Sequence, residues 1–215
     1  MSAAPHRAEF IHRFAPGRPG AKRTLLLLHG TGGDEHDLEP LGTLLDPDAA
    51  QLAPRGPVLE HGMPRFFRRL SEGLFDLEDL RARTHDLAEF IRQAATRYRF
   101  DPGSVVAVGF SNGANIAASL LLLHPGVLAG AVLLSPMVPF EPGPGTDLAG
   151  VPVFIGAGHT DTIARPEQAE RLAALLRERG ANVTLHWHPG GQGIDRATVN
   201  AARDWLASSL TESRG

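Results

Sequence analysis

Short apolar runs alternate along the chain with longer stretches in which apolar residues recur every three or four positions. The short runs are typical of strands, and the longer period is that of a helix with one buried face. The runs predict strands at 9–14, 24–28, 50–53, 105–108, 131–134, 151–155 and 183–188. The longer stretches predict helices at 37–45, 77–98, 112–123, 166–179 and 195–210. Because the strands alternate with helices, the pattern predicts an α/β fold with a doubly wound, mostly parallel sheet.

Two of the runs, 25–28 and 105–108, are apolar at every position. Such strands are buried on both faces, which requires helices on both sides of the sheet. Segment 137–150 is rich in proline and glycine and is expected to be a connecting loop. Trp187 alternates with Leu185 and Val183 on one face of its strand, so we expect it in the core.

The helix at 77–98 shows the clearest periodicity. Asp76 and Asp79 stand where an N-cap and a first-turn acid belong. Its apolar stripe consists of Leu77, Leu80, Leu87, Phe90 or Ile91, Ala94 and Tyr98. The stripe predicts that this helix packs along one side of the sheet.

Composition narrows the class of protein. A chain of 215 residues fits one domain, 1–215, and its 42% hydrophobic and 21% charged content is that of a soluble globular protein. The absence of cysteine excludes a disulfide scaffold and a thiol nucleophile. The net charge of −3 gives no indication of nucleic acid binding. Residues 1–7 lack the apolar stretch of a signal peptide, and no apolar run approaches the ~20 residues of a membrane span, so a cytoplasmic location is expected.

Candidate chemistry begins with the sequence Gly109-Phe110-Ser111-Asn112-Gly113, which lies between a predicted strand and a predicted helix. This G-x-S-x-G pattern places a serine hydroxyl on a tight strand-to-helix turn above the sheet edge. Side chains at 109 or 113 would collide with the neighbouring elements. The alternative is an ordinary helix start with Ser111 as its N-cap.

A nucleophilic serine needs a base, an acid that orients the base, and two N–H groups for the developing oxyanion. Asp161 follows the strand at 151–155 and is the candidate acid; a turn or capping aspartate before Pro166 is the alternative. The N–H groups of Asn112 and Thr31 are the candidate oxyanion hole. The loop 29–33 fails the pattern of a phosphate-binding loop, since no Lys-Ser/Thr follows it.

The stretches 25–35, 109–115, 158–161 and 188–193 together resemble the phospholipase/carboxylesterase family, the acyl-protein-thioesterase-like α/β-hydrolases, in particular its small bacterial members. The resemblance implies an α/β-hydrolase without a large cap, with Ser111 as nucleophile and Asp161 as acid. It implies a small ester or thioester as substrate. No cofactor is expected, and a homodimer is compatible with the resemblance, although the sequence leaves the oligomeric state open. The resemblance also implies a histidine between the glycines of the last loop, where this sequence has Gln192.

Glutamine has no basicity near pH 7, so Gln192 leaves three hypotheses open. It could have been introduced into an active enzyme to trap a bound ester. It could be natural, in a fold that now binds a ligand or catalyses a step without a proton relay. Or a nearby histidine could replace the missing base: His159, His186 or His188.

Other residues allow two interpretations each. Phe66 and Phe67 could line an acyl or aryl pocket, with Arg65 or Arg68 meeting an anionic group, or they could be a core pair beside a solvated arginine cluster. His29 is expected to be a packed histidine that shapes the oxyanion loop, and it is included in the candidate pocket. The polar residues 34–37 match no metal-ligand spacing and are expected to be helix-start acids.

Overall fold

The structure is a computed structural model that describes residues 9–143 and 145–209. Within them the strands are β1 His12–Ala15, β2 Thr24–Leu28, β3 Ala50–Pro54, β4 Val58–Glu60, β5 Met63–Arg65, β6 Arg69–Ser71, β7 Leu74–Phe75, β8 Val105–Phe110, β9 Gly130–Leu134, β10 Pro152–Gly158 and β11 Asn182–His188. The helices are α1 Glu39–Leu45, α2 Leu77–Tyr98, α3 Asn112–Leu123, α4 Pro166–Glu178 and α5 Arg196–Ser209, with a 3-10 turn at Pro102–Ser104.

Seven strands form the central sheet in the order β1-β3-β2-β8-β9-β10-β11. All neighbours are parallel except β1, which runs antiparallel to β3. The register pairs Leu28 with Gly109, Phe110 with Leu134 and Gly158 with His188. The carboxyl ends of β2, β8, β9, β10 and β11 therefore lie along one edge, where ligands bind in open α/β sheets.

Alternating strand residues face two separate cores. In β2, Leu26 and Leu28 pack on the side of α2, α3 and α4, whereas Leu25 and Leu27 pack on the side of α1 and α5. This burial on both faces explains why the strands are apolar at every position. The predicted doubly wound α/β fold is confirmed, and β2, α2 and α3 have the predicted bounds.

Some details differ from the sequence-based expectations. β1 begins at His12 rather than at residue 9, and Leu210, the predicted end of the last helix, lies outside the described residues. Leu77 is 45% exposed, so the buried stripe of α2 begins at Leu80. Trp187 is half-buried: it packs against the core, as expected, and its indole also stacks on the exposed His159 ring, with 4.8 Å between the ring centroids. The hairpins β4–β5 and β6–β7 were not predicted.

The capping expectation for α2 is confirmed, since the Asp76 carboxylate accepts a hydrogen bond from the N–H of Asp79 at 3.1 Å. Segment 137–150 contains no helix or strand in its described part, as expected for a connection. No helix in the described residues combines the length and apolar character needed to cross a membrane.

Candidate active site

Ser111 occupies a strained turn between β8 and α3. Its backbone has φ 51° and ψ −113°, a left-handed region that costs a non-glycine residue about 1–3 kcal/mol. Two backbone hydrogen bonds hold the turn: Ser111 N–H donates to Leu134 O at 2.9 Å, and Asn115 N–H donates to Ser111 O at 3.0 Å. Ser111 is in the N-cap position, but its hydroxyl makes no capping bond. Capping therefore does not explain the residue, and its Oγ remains available for other contacts.

The two glycines of the motif permit a close approach of backbone. A Cβ at Gly109 would lie 2.6 Å from Gly113 O, and a Cβ at Gly113 would collide with the carbonyl of Leu28. Real Cβ atoms do not tolerate such contacts, so both positions require glycine for space rather than for backbone conformation.

Asp161 lies in the loop after β10 and is 3% exposed. Its Oδ1 accepts hydrogen bonds from the N–H groups of Ile163 at 2.8 Å and Ala164 at 2.9 Å. Its Oδ2 is buried and has no hydrogen-bond partner among the described residues. The N-cap of α4 is Arg165, so Asp161 does not cap that helix. A turn role accounts for one carboxylate oxygen and leaves the other unexplained.

Gln192 lies in the loop after β11 and reaches the serine. Its Nε2 donates a hydrogen bond to Ser111 Oγ at 3.1 Å, in an exposed position. The loop is fixed to the loop of Asp161 by backbone contacts. Thr160 N–H donates to Gly190 O at 3.1 Å, and a Cβ at Gly158 would collide with the carbonyls of Gly190 and Gly191. The structure thus brings residue 192 to Ser111 and places its loop against that of Asp161.

None of the three neighbouring histidines reaches Ser111. The ring of His159 stacks on Trp187, and that of His186 stacks on Phe154 at 5.8 Å. His188 is buried, and its Nδ1 accepts the N–H of Gly190 at 3.2 Å. Within the described part of the chain, the Ser111 hydroxyl has Gln192 as its side-chain partner. The geometry offers no support for a substitute histidine.

His29 is a packed histidine that shapes the loop at residues 29–33. It is 1% exposed, and its Nε2 accepts the N–H of Gly56 at 2.9 Å. Its Nδ1 lies 2.6 Å from Gly30 O and must therefore carry the proton and donate it to that carbonyl. Burial lowers the pKa of His29, because the charged form would lose its hydration. A protonated His29 would also lose the acceptor for Gly56 N–H.

The pKa of His29 predicts a loss of stability in acid. The native state holds this group neutral, so its contribution is complete above the unfolded pKa of 6.5 and is lost as the pH falls below that value. We expect the free energy of unfolding, measured by urea titration between pH 7 and 5, to fall less steeply in His29→Gln than in the parent chain. His124→Gln is the matched variant, because burial also lowers the pKa of His124. Its pH slope shows how much of the effect comes from that histidine. An unchanged pH slope in His29→Gln would contradict the assignment.

Strand β5 supports the loop of Thr31, and Asn112 follows Ser111 directly at the start of α3. Thr31 Oγ1 accepts a hydrogen bond from Arg65 Nη1 at 2.6 Å, and Gly32 N–H donates to Pro64 O at 2.9 Å. Strand β5 therefore braces the loop of Thr31. Asn112 is the first residue of α3, so its backbone N–H has no partner within the helix.

Residues 65–67 face the interior more than the sequence indicated. Phe66 and Phe67 have no exposed surface, so their side chains line no open pocket in this structure. Arg65 is also buried: its guanidinium pairs with Glu60 at 3.2 Å, and burial lowers its pKa. The exposed Arg68 pairs with Asp76 at 2.9 Å. Both arginines thus have internal partners, and Arg65 acts on the Thr31 loop.

Other residues near the site carry no signal in the sequence. Met63 in β5 approaches the loop of Thr31, since a Cβ at Gly32 would lie 3.7 Å from its sulfur. Ser135 follows β9 with φ 49°, and its buried Oγ has no hydrogen-bond partner among the described residues. Ser135 follows Leu134, whose carbonyl accepts the N–H of Ser111, and Met63 is connected with the site through the loop of Thr31. In the described residues, no group of three or more histidines, aspartates or glutamates is placed to hold a metal ion.

Comparison with known proteins gives consistent results. The chain matches the dienelactone hydrolase family over residues 63–193. A putative hydrolase of Bacillus subtilis (strain 168), MhqD, is 52% identical over 186 residues, which cover 86% of this chain and 93% of that protein. The crystal structure of the Bacillus cereus carboxylesterase is 50% identical and has a TM-score of 0.92 over 94% of this chain and 95% of that chain.

A further solved structure, a carboxylesterase from Mesorhizobium loti, is 37% identical, with a TM-score of 0.83 over 87% of this chain and 90% of that chain. These likenesses confirm the α/β-hydrolase fold and the carboxylesterase-like resemblance. The family that matches has a different name from the one the motifs indicated, but the type of hydrolase is the same.

Proposed function

The chain belongs to the dienelactone hydrolase family, and from that premise we propose that it is built as a serine hydrolase of the carboxylesterase or thioesterase type, with small esters or thioesters as substrates. The observation that carries the proposal is the strained turn of Ser111. It holds the hydroxyl free of capping contacts at the carboxyl edge of the sheet, within 3.1 Å of residue 192.

In the proposed reaction, Ser111 Oγ attacks the carbonyl carbon of the ester and forms a tetrahedral intermediate. The backbone N–H groups of Asn112 and Thr31 stabilise its oxyanion. Two features support these roles. The Asn112 N–H is the first of α3 and points outside the helix ladder, and β5 holds the Thr31 loop through Arg65 and Pro64.

The proposed weakness is the proton relay. The base of such a site takes the proton of the serine and returns it to the leaving group, and an amide cannot do so near pH 7. Loss of the histidine from a serine triad lowers turnover by on the order of 10⁶. We therefore expect the chain to be a very poor hydrolase, in which Gln192 only hydrogen-bonds the nucleophile and Asp161 Oδ2 has no partner among the described residues.

The second candidate is a hydrolase fold that binds a small ligand without hydrolysing it. The hydrogen bond between Gln192 Nε2 and Ser111 Oγ favours this candidate, because it engages the nucleophile in a contact that does not activate it. The two candidates differ in whether Ser111 can react covalently at all.

Covalent labelling with a fluorophosphonate distinguishes them. We expect slow labelling of Ser111 in the parent chain, because the proposed oxyanion N–H groups and the turn are present without a base. Labelling should be faster in Gln192→His, which restores the base. Ser111→Ala should show no label at this position. Peptide mass spectrometry locates the adduct. If neither the parent nor Gln192→His is modified at Ser111 while both remain folded, the hydrolase proposal is wrong and ligand binding remains.

A further inference from the structure

The unpartnered oxygen of Asp161 indicates what the site lacks. Oδ1 already accepts two backbone N–H groups, whereas the buried Oδ2 accepts none from the described residues. A buried carboxylate oxygen without a donor is costly, because it has lost its hydration without replacement. What Oδ2 lacks is therefore an N–H donor, and the loop that carries Asp161 packs directly against the loop that leads to residue 192.

The hydroxyl of Ser111 has the complementary requirement. It accepts a hydrogen bond from Gln192 Nε2, but neither end of an amide is basic enough to remove its proton. The site thus presents a buried acceptor at Asp161 and an unactivated O–H at Ser111. A molecule that satisfies both needs one N–H donor and one basic, unprotonated nitrogen.

The backbone around this space does not depend on the glutamine side chain. Hydrogen bonds from His159 N–H to His188 O at 2.9 Å and from Thr160 N–H to Gly190 O at 3.1 Å join the two loops. The Gln192 side chain itself is exposed and makes a single side-chain hydrogen bond. It can therefore rotate towards solvent while the loops remain in place.

We propose that Asp161 Oδ2 and Ser111 Oγ form a binding site for a neutral imidazole-type heterocycle, which displaces the Gln192 side chain and makes hydrolysis dependent on that small molecule. This inference rests on the proposed nucleophilic role of Ser111. The heterocycle donates its N–H to Asp161 Oδ2, and its other nitrogen takes the proton of Ser111 as the Oγ–C bond forms. It returns that proton to the leaving oxygen as the ester bond breaks. Water then releases the acyl group through the same two proton transfers, and the heterocycle leaves unchanged.

Steady-state hydrolysis of a phenyl ester in increasing imidazole tests the proposal, in the parent chain and in Gln192→Gly. We expect a saturable rise of about tenfold or more at neutral pH, larger in Gln192→Gly, since a positioned general base typically contributes 10²–10⁴-fold. Ser111→Ala measures the reaction of imidazole with the ester in solution. Asp161→Asn removes the charged acceptor and keeps an oxygen for the Ile163 and Ala164 N–H groups.

The matched heterocycle is 1-methylimidazole, which has the basic nitrogen but no N–H donor. We expect it to give no saturable rise, and ¹⁵N chemical shifts of imidazole to report binding that Asp161→Asn abolishes. An equal effect of the two heterocycles, or a strictly linear rise, would overturn the proposal. If Gln192→His hydrolyses the ester but no heterocycle raises the rate of the parent chain or of Gln192→Gly, this inference is wrong and the proposed function stands. If Gln192→His is also inactive, the function fails, and Asp161-dependent binding in the ¹⁵N spectra decides whether the site exists.

Discussion

Replacing Gln192 by histidine is expected to raise kcat for a short-chain aryl ester by about 10³- to 10⁶-fold, since removing a triad histidine costs on the order of 10⁶. In the proposed site, the other two members of the triad are Ser111 and Asp161. Residue 192 lies within hydrogen-bond reach of Ser111 Oγ, and the buried Asp161 Oδ2 has no partner among the described residues. An imidazole there would donate to Asp161 and accept from Ser111, which fixes its tautomer and its orientation.

Two controls separate a proton relay from a change in packing. Gln192→Asn retains an amide and should show no gain. In the double variant Gln192→His with Asp161→Asn, most of the gain should disappear, by up to about 10⁴-fold, because the imidazole loses its orienting carboxylate. The effect should appear in kcat with little change in KM, since the base acts in the transition state. A folded Gln192→His variant without any gain would show that residue 192 does not stand at the base position.

The central sheet could be predicted because its sequence signal and its burial have the same cause. The side chains of residues 25–28 point alternately into two cores, so every position is apolar. The strand can therefore be recognised as a continuous apolar run, without an alternation of apolar and polar residues. The hairpins β4–β5 and β6–β7 could not be predicted in this way. Their strands have two or three residues and pair only with each other, which is too short for an alternating pattern to be recognised.

The candidate site could be predicted where position along a strand determines it. Ser111 and Asp161 follow β8 and β10, and parallel register brings the ends of these strands to one edge of the sheet. The orientation of side chains in the irregular segment 66–68 depends on tertiary contacts instead. Asn112 Oδ1 accepts the N–H of Phe66 at 2.8 Å, and this contact between distant parts of the chain accompanies the burial of the phenylalanine pair. No local pattern contains that information.

Substituting alanine for Gly113 is expected to destabilise the protein by more than about 4 kcal/mol, a size reserved for severe core or backbone conflicts. Helix propensity alone predicts the opposite, because Gly113 lies in α3 and alanine favours a helix by about 1 kcal/mol over glycine. Sterics decide the sign. The new Cβ would collide with the carbonyl of Leu28 and lie 2.6 Å from His29 O.

The Leu28 carbonyl cannot withdraw without cost, since Leu28 belongs to β2 and pairs with Gly109 of β8. Gly143→Ala is the matched control, because a Cβ there would meet nothing within 4 Å. We expect its unfolding free energy to change by less than about 1 kcal/mol. Urea denaturation of both variants measures the difference, and Ser111 labelling in any folded Gly113→Ala should be slower because the turn must shift. If Gly113→Ala is as stable as Gly143→Ala, the close approach of α3 to the Leu28 carbonyl at Gly113 is contradicted.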